Sequence, residues 1–295
     1  MKLTKIFLSR RKKDNVAGYI FLIIPLLINS VFLFYPIIYS FILSLFDWNL
    51  LMPEKYFIGF SNFKELFTDK VFLISIKNTF IYTAGVVPLQ TIVALLMAVL
   101  LNQKVRGRPF FRTAFYIPSI TSSVVTSVIF MWIYAKPGLL NYLLSLMGIS
   151  GPDWLASTDF ALSSIMVLNI WSTAGYFMIT FLAALQNIPE SLYETARVDG
   201  ANIFRMFWNV TVPMVRPAIF FVVTLGMIGC FQVFDQIYVM SSGGPANATT
   251  TMSYFIYQNA FKYFRMGYAS AASVVLFLFI LSFTLIQKKY YKIQF

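Results

Sequence analysis

Six long apolar runs, at about 17–46, 72–101, 113–135, 160–186, 215–240 and 267–287, dominate the sequence and leave only short polar segments between them. Each is long enough, as a helix, to cross the roughly 30 Å of hydrocarbon in a bilayer. Inside hydrocarbon every backbone N–H and C=O must be paired within the chain, so runs of this length are restricted to helices. Only 12 % of the 295 residues are charged and 59 % are hydrophobic, whereas a soluble domain carries about 25 % charge. A soluble fold of this size cannot hide so much apolar surface, and a lipid-facing one does not have to. Disorder, a secreted disulfide scaffold and an ordinary cytosolic enzyme are therefore excluded. The expectation is an all-α polytopic membrane protein with six transmembrane helices.

The first run follows Arg10, Arg11, Lys12 and Lys13, as a signal peptide would, but it is twice the usual length and no small-x-small cleavage site closes it. It is read as an uncleaved helix, with Pro25 and Pro36 tolerated because neighbouring helices and water can satisfy the freed carbonyls. The net charge of +12 could suggest nucleic acid. The cations, however, sit in short clusters between apolar runs, which fits the positive-inside rule better. Segments 1–16, 102–112, 187–217 and 288–295 hold sixteen of the 23 basic residues and four of the eleven acids. The intervening segments are close to neutral, so both termini are predicted to be cytoplasmic. The chain contains no histidine and a single cysteine, Cys230, which excludes histidine acid–base chemistry, an internal disulfide and any multi-cysteine metal site.

Domain organisation is expected to comprise 1–71 (cytoplasmic N-terminus, first helix and an extracytoplasmic loop), a five-helix core at 72–290, and a cytoplasmic tail at 291–295. Residues 47–71 read as a polar and aromatic interfacial loop. Residues Leu139 to Met147, closed by Gly148 and by Gly151-Pro152, suggest a brief interfacial helix. Residues 241–250, rich in Gly, Pro, Ser and Thr, read as a flexible loop.

The longest inside segment, 187–217, has internal order. Pro189 and Glu190 suit a first helical turn. Leu192, Tyr193 and Ala196 share a face, and Gly200 can take the left-handed conformation that ends a helix. Ile203, Phe204, Phe207 and Trp208 then form the stripe of a second short helix, and Pro213 and Pro217 return the chain to the membrane. Two short helices around a glycine make a knob that could seat in a groove on a partner protein. The alternative is an amphipathic connector on lipid headgroups. Anionic lipids would favour a basic polar face there, whereas Glu190, Glu194 and Asp199 oppose only Arg197 and Arg205, and the pattern alone leaves both readings open.

This segment resembles the EAA loop of permease subunits of binding-protein-dependent ABC importers, a motif that reads Glu-Ala-Ala, three residues, Gly, nine residues, then Ile-x-Leu-Pro. Here it stands as Glu194-Thr195-Ala196, Gly200 and Val210-Thr211-Val212-Pro213. The departures, Thr195, Val210 and Val212, leave the spacing intact. Asp199-Gly200-Ala201, Phe46-Asp47-Trp48-Asn49, Gly107-Arg108-Pro109-Phe110-Phe111-Arg112, Phe231-Gln232-Val233-Phe234-Asp235, Gly243-Gly244-Pro245 and Met266-Gly267-Tyr268-Ala269 resemble the carbohydrate-uptake branch, so the likeness covers nearly the whole chain.

The resemblance implies a type I importer permease fold (MetI-like) in a bacterial cell membrane. It implies a second permease subunit, in that branch usually a different chain, two cytoplasmic ATPase subunits, an extracytoplasmic solute-binding protein and a carbohydrate substrate. The chain has no Gly-x4-Gly-Lys-Ser/Thr phosphate loop, so it is expected to be no enzyme and to bind no cofactor, with ATP and Mg used by the partner ATPases. Glu194 and Asp199 are the candidate polar anchors to the ATPase, Ala196 a close-packing site and Gly200 the turn, with Thr195, Ala201 and Pro213 in the same loop. Phe204 and Phe207 are candidate apolar anchors, with packing back onto the permease as the alternative for both. Polar residues within the runs are candidates for the sugar path: Asn169, Ser172, Thr173 and Tyr176 with Trp171 beside them, and Gln232, Asp235 and Tyr238. Polar glue between helices is the competing reading for each. Gly243, Gly244 and Pro245 are candidate contacts for the binding protein, with 136–159 competing. A non-sugar ABC importer carries a related loop. An ion-coupled secondary transporter would need a charged intramembrane relay, and an integral membrane enzyme a catalytic cluster, and the sequence offers neither.

Overall fold

The computed structural model describes Tyr19, residues 21–103 and residues 106–290. The basic cluster before residue 19 and the tail at 291–295 lie outside the described residues. The elements are α1 (Phe21–Leu43), a hairpin of β1 (Phe46–Trp48) and β2 (Lys55–Phe57), α2 (Ser61–Leu66), α3 (Lys70–Asn102), α4 (Arg108–Ile120), α5 (Ser123–Tyr134), α6 (Leu139–Leu146), α7 (Ala161–Gln186), α8 (Glu190–Val198), α9 (Ile203–Met214), α10 (Arg216–Phe231), α11 (Asp235–Met240), α12 (Met252–Tyr257) and α13 (Met266–Tyr290). Five helical stretches are long and apolar enough to cross a membrane, and there are six if the pair α9–α10, bent by 68°, counts as one.

Four of the expected spans are continuous helices: α1, α3, α7 and α13. The other two are broken, which corrects their reading as uninterrupted runs. The run at 113–135 stops at Ile120 and restarts at Ser123, because Pro118 withholds a backbone donor and Thr121 and Ser122 turn extended. Ser119 and Thr121 hydroxyls bond the Tyr116 and Ile117 carbonyls at 2.7 and 2.9 Å, satisfying groups that lipid could not. The run at 215–240 divides between α10 and α11, and the non-helical stretch Gln232–Phe234 is held by Thr251, whose hydroxyl donates to the Val233 carbonyl at 3.1 Å. Irregular backbone survives at membrane depth only where protein or a polar cavity supplies such partners.

Three apolar clusters run along the helices. Ala94, Ala98, Phe181, Leu182 and Val222 join α3, α7 and α10. Tyr82, Val86, Ile165, Leu168 and Ile237 extend the same packing towards α11. Phe72, Phe231, Met252, Ala271 and Ala272 bring in α12 and α13. Small residues set the closest approaches. A Cβ on Gly175 of α7 would sit 1.9 Å from the Phe115 carbonyl of α4, and one on Gly267 equally close to the Phe46 carbonyl. Asp69 caps α3 by accepting from the Val71 and Phe72 amides at 2.7 and 3.3 Å and takes the Tyr268 hydroxyl of α13 at 2.9 Å. Beside it, Glu65 holds the Arg265 guanidinium through both carboxylate oxygens at 2.7 and 2.8 Å. Within this chain α1 is almost wholly uncovered, meeting α13 near its end through Phe41 and Phe277, whose rings are 5.6 Å apart. Residues 47–71, expected to be a loop, form the β1–β2 hairpin and α2, and the short helix expected at 139–147 is α6.

Candidate functional site

The two broken spans face each other. Ser123 opens α5 and Asp235 opens α11, and the Ser123 hydroxyl donates to the Asp235 carboxylate at 2.5 Å. Around this junction lies a cleft of about 230 Å3 lined by Ser123, Asn169, Gly229, Gln232, Val233, Phe234, Asp235 and Gln236. Beneath it, buried Gln236 accepts from the Asn169 amide at 2.9 Å and from the Tyr82 hydroxyl at 3.1 Å, fixing α3, α7 and α11 together. A second polar contact lies one turn further along α7, where Thr173 donates to Gln90 at 2.8 Å. Gly226 lets Gln90 in, since a Cβ there would sit 2.1 Å from the Gln90 amide nitrogen.

Among the described residues no cation pairs with Asp235; the two salt bridges are Lys136–Asp153 and Arg265–Glu65. The exposed carboxylate and the exposed amide of Gln232 therefore face a polar cleft within apolar surroundings. Phe234 contributes an aromatic wall, stacked on Tyr238 at 5.5 Å and packed on Tyr257 at 4.9 Å between ring centroids. Acceptors, amide donors and an aromatic face in one concavity suit a polyhydroxylated ligand, whose hydroxyls both donate and accept and whose C–H faces lie on rings.

The structure thus brings Asn169, Gln232 and Asp235 into one cleft and leaves other candidates outside its lining. Tyr238 stacks behind Phe234. Ser172 bonds the Asn169 carbonyl at 3.0 Å, Tyr176 rests beside Phe177, and Trp171 packs on Phe130 at 5.2 Å. Ser123, Gln236 and Tyr82 were missed by sequence reasoning. For Ser123 a signal existed: three hydroxyl residues, Thr121 to Ser123, interrupt an apolar run.

At the other end of α7 and α10, α8 and α9 form the expected knob. Gly200 sits at φ +74° after α8, its N–H donates to the Arg197 carbonyl at 3.0 Å, and the Ala201 N–H reaches the Ala196 carbonyl at 2.9 Å. This is the paired closure that a left-handed residue allows at a helix C-terminus. Asn202 then caps α9 by accepting from the Arg205 amide at 2.9 Å, and Tyr193 and Thr211 hydroxyls meet at 3.0 Å, bracing one helix against the other. Glu194, Thr195, Asp199 and Pro213 are exposed, and Ala196 and Ala201 are half-buried. The two phenylalanines separate: Phe204 is 78 % exposed, whereas Phe207 packs against the α3–α7–α10 cluster. Val198 and Ile203, 87 % and 79 % exposed, join Phe204 in an uncovered apolar tip.

The loop 241–250 is anchored. Gly243 takes φ +81° with no room for a side chain beside Thr250 and Tyr254, Thr249 and Thr250 hydroxyls donate to the Gly244 and Gly243 carbonyls at 2.8 and 3.1 Å, and Gly244–Pro245 is cis. The glycines there serve close packing, which corrects the expectation of a flexible loop.

Residues 90–292 match the family described as binding-protein-dependent transport system inner membrane component. The chain is 36 % identical over 285 residues to a probable ABC transporter permease protein, YurN, of Bacillus subtilis, covering 95 % of this chain and 97 % of that one. It is also 36 % identical to the lactose transport system permease protein LacF of Rhizobium radiobacter, covering 93 % and 94 % respectively. In fold it superposes on a chain of a bacterial alginate ABC transporter, crystallised with an alginate pentasaccharide-bound periplasmic protein, with a TM-score of 0.83 at 24 % identity and 95 % coverage of both chains. The six apolar runs, the two broken spans and the glycine-turned knob are accordingly those of a multi-pass membrane protein that belongs to the binding-protein-dependent transport system inner membrane components.

Proposed function

We propose that this chain is one of two transmembrane subunits of an ATP-driven importer and forms, with a second and different permease, the path of a sugar or oligosaccharide delivered by an extracytoplasmic binding protein. The observation that carries the sugar reading is the cleft where Ser123, Asn169, Gln232 and Asp235 converge beside Phe234, in a chain similar along its length to a lactose permease. Both termini and the knob lie on the cytoplasmic side, as the charge distribution favours. Two separate ATPase subunits bind and hydrolyse ATP with Mg, and the chain supplies no chemistry of its own. The exposed apolar tip at Val198, Ile203 and Phe204, flanked by Glu194 and Asp199, seats in an ATPase groove. The brace between α8 and α9 makes the knob move as a unit. A displacement there reaches the cleft through α7 and α10, which run from one site to the other. Gly243, Gly244 and Pro245, held rigid by the threonine bonds, present a fixed surface to the binding protein. Residues 72–290 form the transport core, and 1–71 is an addition to it.

The test is reconstitution. The chain co-expressed with the second permease and ATPase subunits is purified, placed in liposomes with the binding protein, and assayed with labelled neutral mono- and oligosaccharides. Vanadate-sensitive uptake of a sugar is expected. Uptake driven by an ion gradient without ATP, or by amino acids or inorganic anions alone, would overturn the reading.

A further inference from the structure

We propose that the start of α4 is a binding site for the phosphate of an anionic phospholipid, with Arg108 and Arg112 as its ligands and the helix face above them as the seat of an acyl chain. The Nε and Nη2 atoms of Arg108 are enclosed and, among the described residues, have no hydrogen-bond partner. A guanidinium is planar, permanently charged and carries five donors, so enclosing two of its nitrogens without an acceptor is unfavourable unless an anion completes them. Arg112 follows at i+4 on the same face, exposed, and neither arginine forms an ion pair among the described residues. Like charges one turn apart repel, and a single anion bridging them turns that repulsion into two attractions.

The same face continues away from the helix start with Phe111 and Phe115, 40 % and 37 % exposed, their rings 6.2 Å apart. Positions 108, 111, 112 and 115 share one side of a helix. Cations at the end where the polar segment 102–112 gives way to an apolar run, then aromatic rings climbing into the apolar zone, match the order of groups in a phospholipid. A free phosphate ion would have no use for the rings, and a carboxylate from another protein would leave them bare. This site lies on a different element from the cleft lining and the knob, and it does not depend on the substrate.

The test uses the purified full transporter in nanodiscs of phosphatidylcholine, with and without phosphatidylglycerol, read by native mass spectrometry for retained phosphatidylglycerol. Wild type is expected to retain it. Arg108→Gln should lower that retention about tenfold, Arg112→Gln less, and Arg108→Lys should recover part of it, since a point charge replaces a fork. Because Arg108→Gln could perturb folding, its thermal midpoint in phosphatidylcholine alone is measured alongside, and Arg112→Gln, on an exposed position, provides an independent reading. Unchanged retention in both variants would overturn the proposal. Equal displacement of the lipid by inorganic phosphate would assign the arginines to a free anion instead. Loss of the second permease from the Arg108→Gln complex, with lipid retention intact, would assign them to a protein carboxylate.

Discussion

The knob and the cleft are built by opposite means. Nearly every bond that shapes the knob spans three to five residues: Gly200 to Arg197, Ala201 to Ala196, Arg205 to Asn202. The cleft is assembled from residues far apart in the chain, Ser123 with Asp235 across 112 positions, Asn169 with Gln236 across 67 and Tyr82 with Gln236 across 154. The knob is therefore sensitive to what one residue does to its own backbone, and the cleft to whether whole helices keep their places. In the proposed function the knob has to survive repeated pushing by a partner as one piece, and local closure gives it that. The cleft, in that same proposed function, has to open and shut, and a site shared among several helices can do so when they shift relative to one another.

The largest test of this contrast is at Gly200. Gly200→Pro removes the N–H that bonds Arg197 and cannot adopt φ +74°, so ATPase stimulation and uptake should fall by at least about tenfold while the complex still inserts. No atom lies within 4 Å of a Cβ built at Gly200. Gly200→Ala should therefore show only the cost of a left-handed alanine, about 1–2 kcal/mol, with ATPase coupling retained. If Gly200→Trp, inserted with its thermal midpoint matched to that of Gly200→Ala, uncouples fully where alanine does not, the obstruction lies in the docked partner, which sharpens the knob's assignment. Normal coupling in Gly200→Pro would break it.

At the cleft, Asp235→Asn keeps the shape and removes the charge that Ser123 bonds. A hydrogen bond to an ionised group contributes about 1.5–3 kcal/mol, so uptake should drop roughly tenfold with assembly and basal ATPase intact. Ser123→Ala should reproduce part of that loss, and the double variant should lose less than the sum of the two. Strict additivity would mean that the pair does not act together, and unaltered uptake in Asp235→Asn would reduce it to polar glue between helices.

The two phenylalanines of the knob come next. Phe207→Ala opens space in the packing against α3 and α7 and, because Phe207 is only partly buried, should lower the thermal midpoint by less than the equivalent of about 3–5 kcal/mol, the cost at a fully buried phenylalanine. Phe204→Ala should leave the midpoint within about 0.5 kcal/mol yet weaken retention of the ATPase during purification. The reverse pattern would exchange their roles. The smallest effect is expected at Asn202→Ala, which removes the cap of α9: about 1 kcal/mol, seen as faster amide exchange at Ile203 to Arg205 with little change in uptake.

The knob was legible in the sequence for the same reason that it is locally built. Pro189, Glu190, Gly200 and the stripe at Ile203 to Trp208 each state a helix start, stop or face by their own chemistry. Asn202, a short polar residue just before that stripe, carried the same kind of signal and was not read. In the cleft, Asn169, Gln232 and Asp235 stood out because polar groups are rare within apolar runs. Their neighbour Gln236 did not, since adjacency along the chain says nothing about which residue turns inward after a helix breaks. Tyr176 and Trp171, picked out by the same rule, lie outside the lining of this cleft, with Trp171 against Phe130 and Tyr176 beside Phe177.

What the sequence determined alone is everything set by composition and near-neighbour geometry. It fixed a chain that must lie in a membrane, where its apolar runs fall, the uneven placement of charge, and the helix–glycine–helix knob with its spacing. Tertiary structure decided the rest. It broke two of the apolar runs, one closed by its own Ser119 and Thr121 hydroxyls and the other by Thr251 from a later element, turned Phe207 inward and left Phe204 bare. It also stiffened the glycine loop at 241–250 and set Ser123 against Asp235. For the Gln232–Phe234 break, the packing of Phe207 and the pairing of Ser123 with Asp235 the physical reason is the same: a distant segment has to arrive to complete the irregular backbone, the ring contact or the polar pair, and no local pattern announces that arrival.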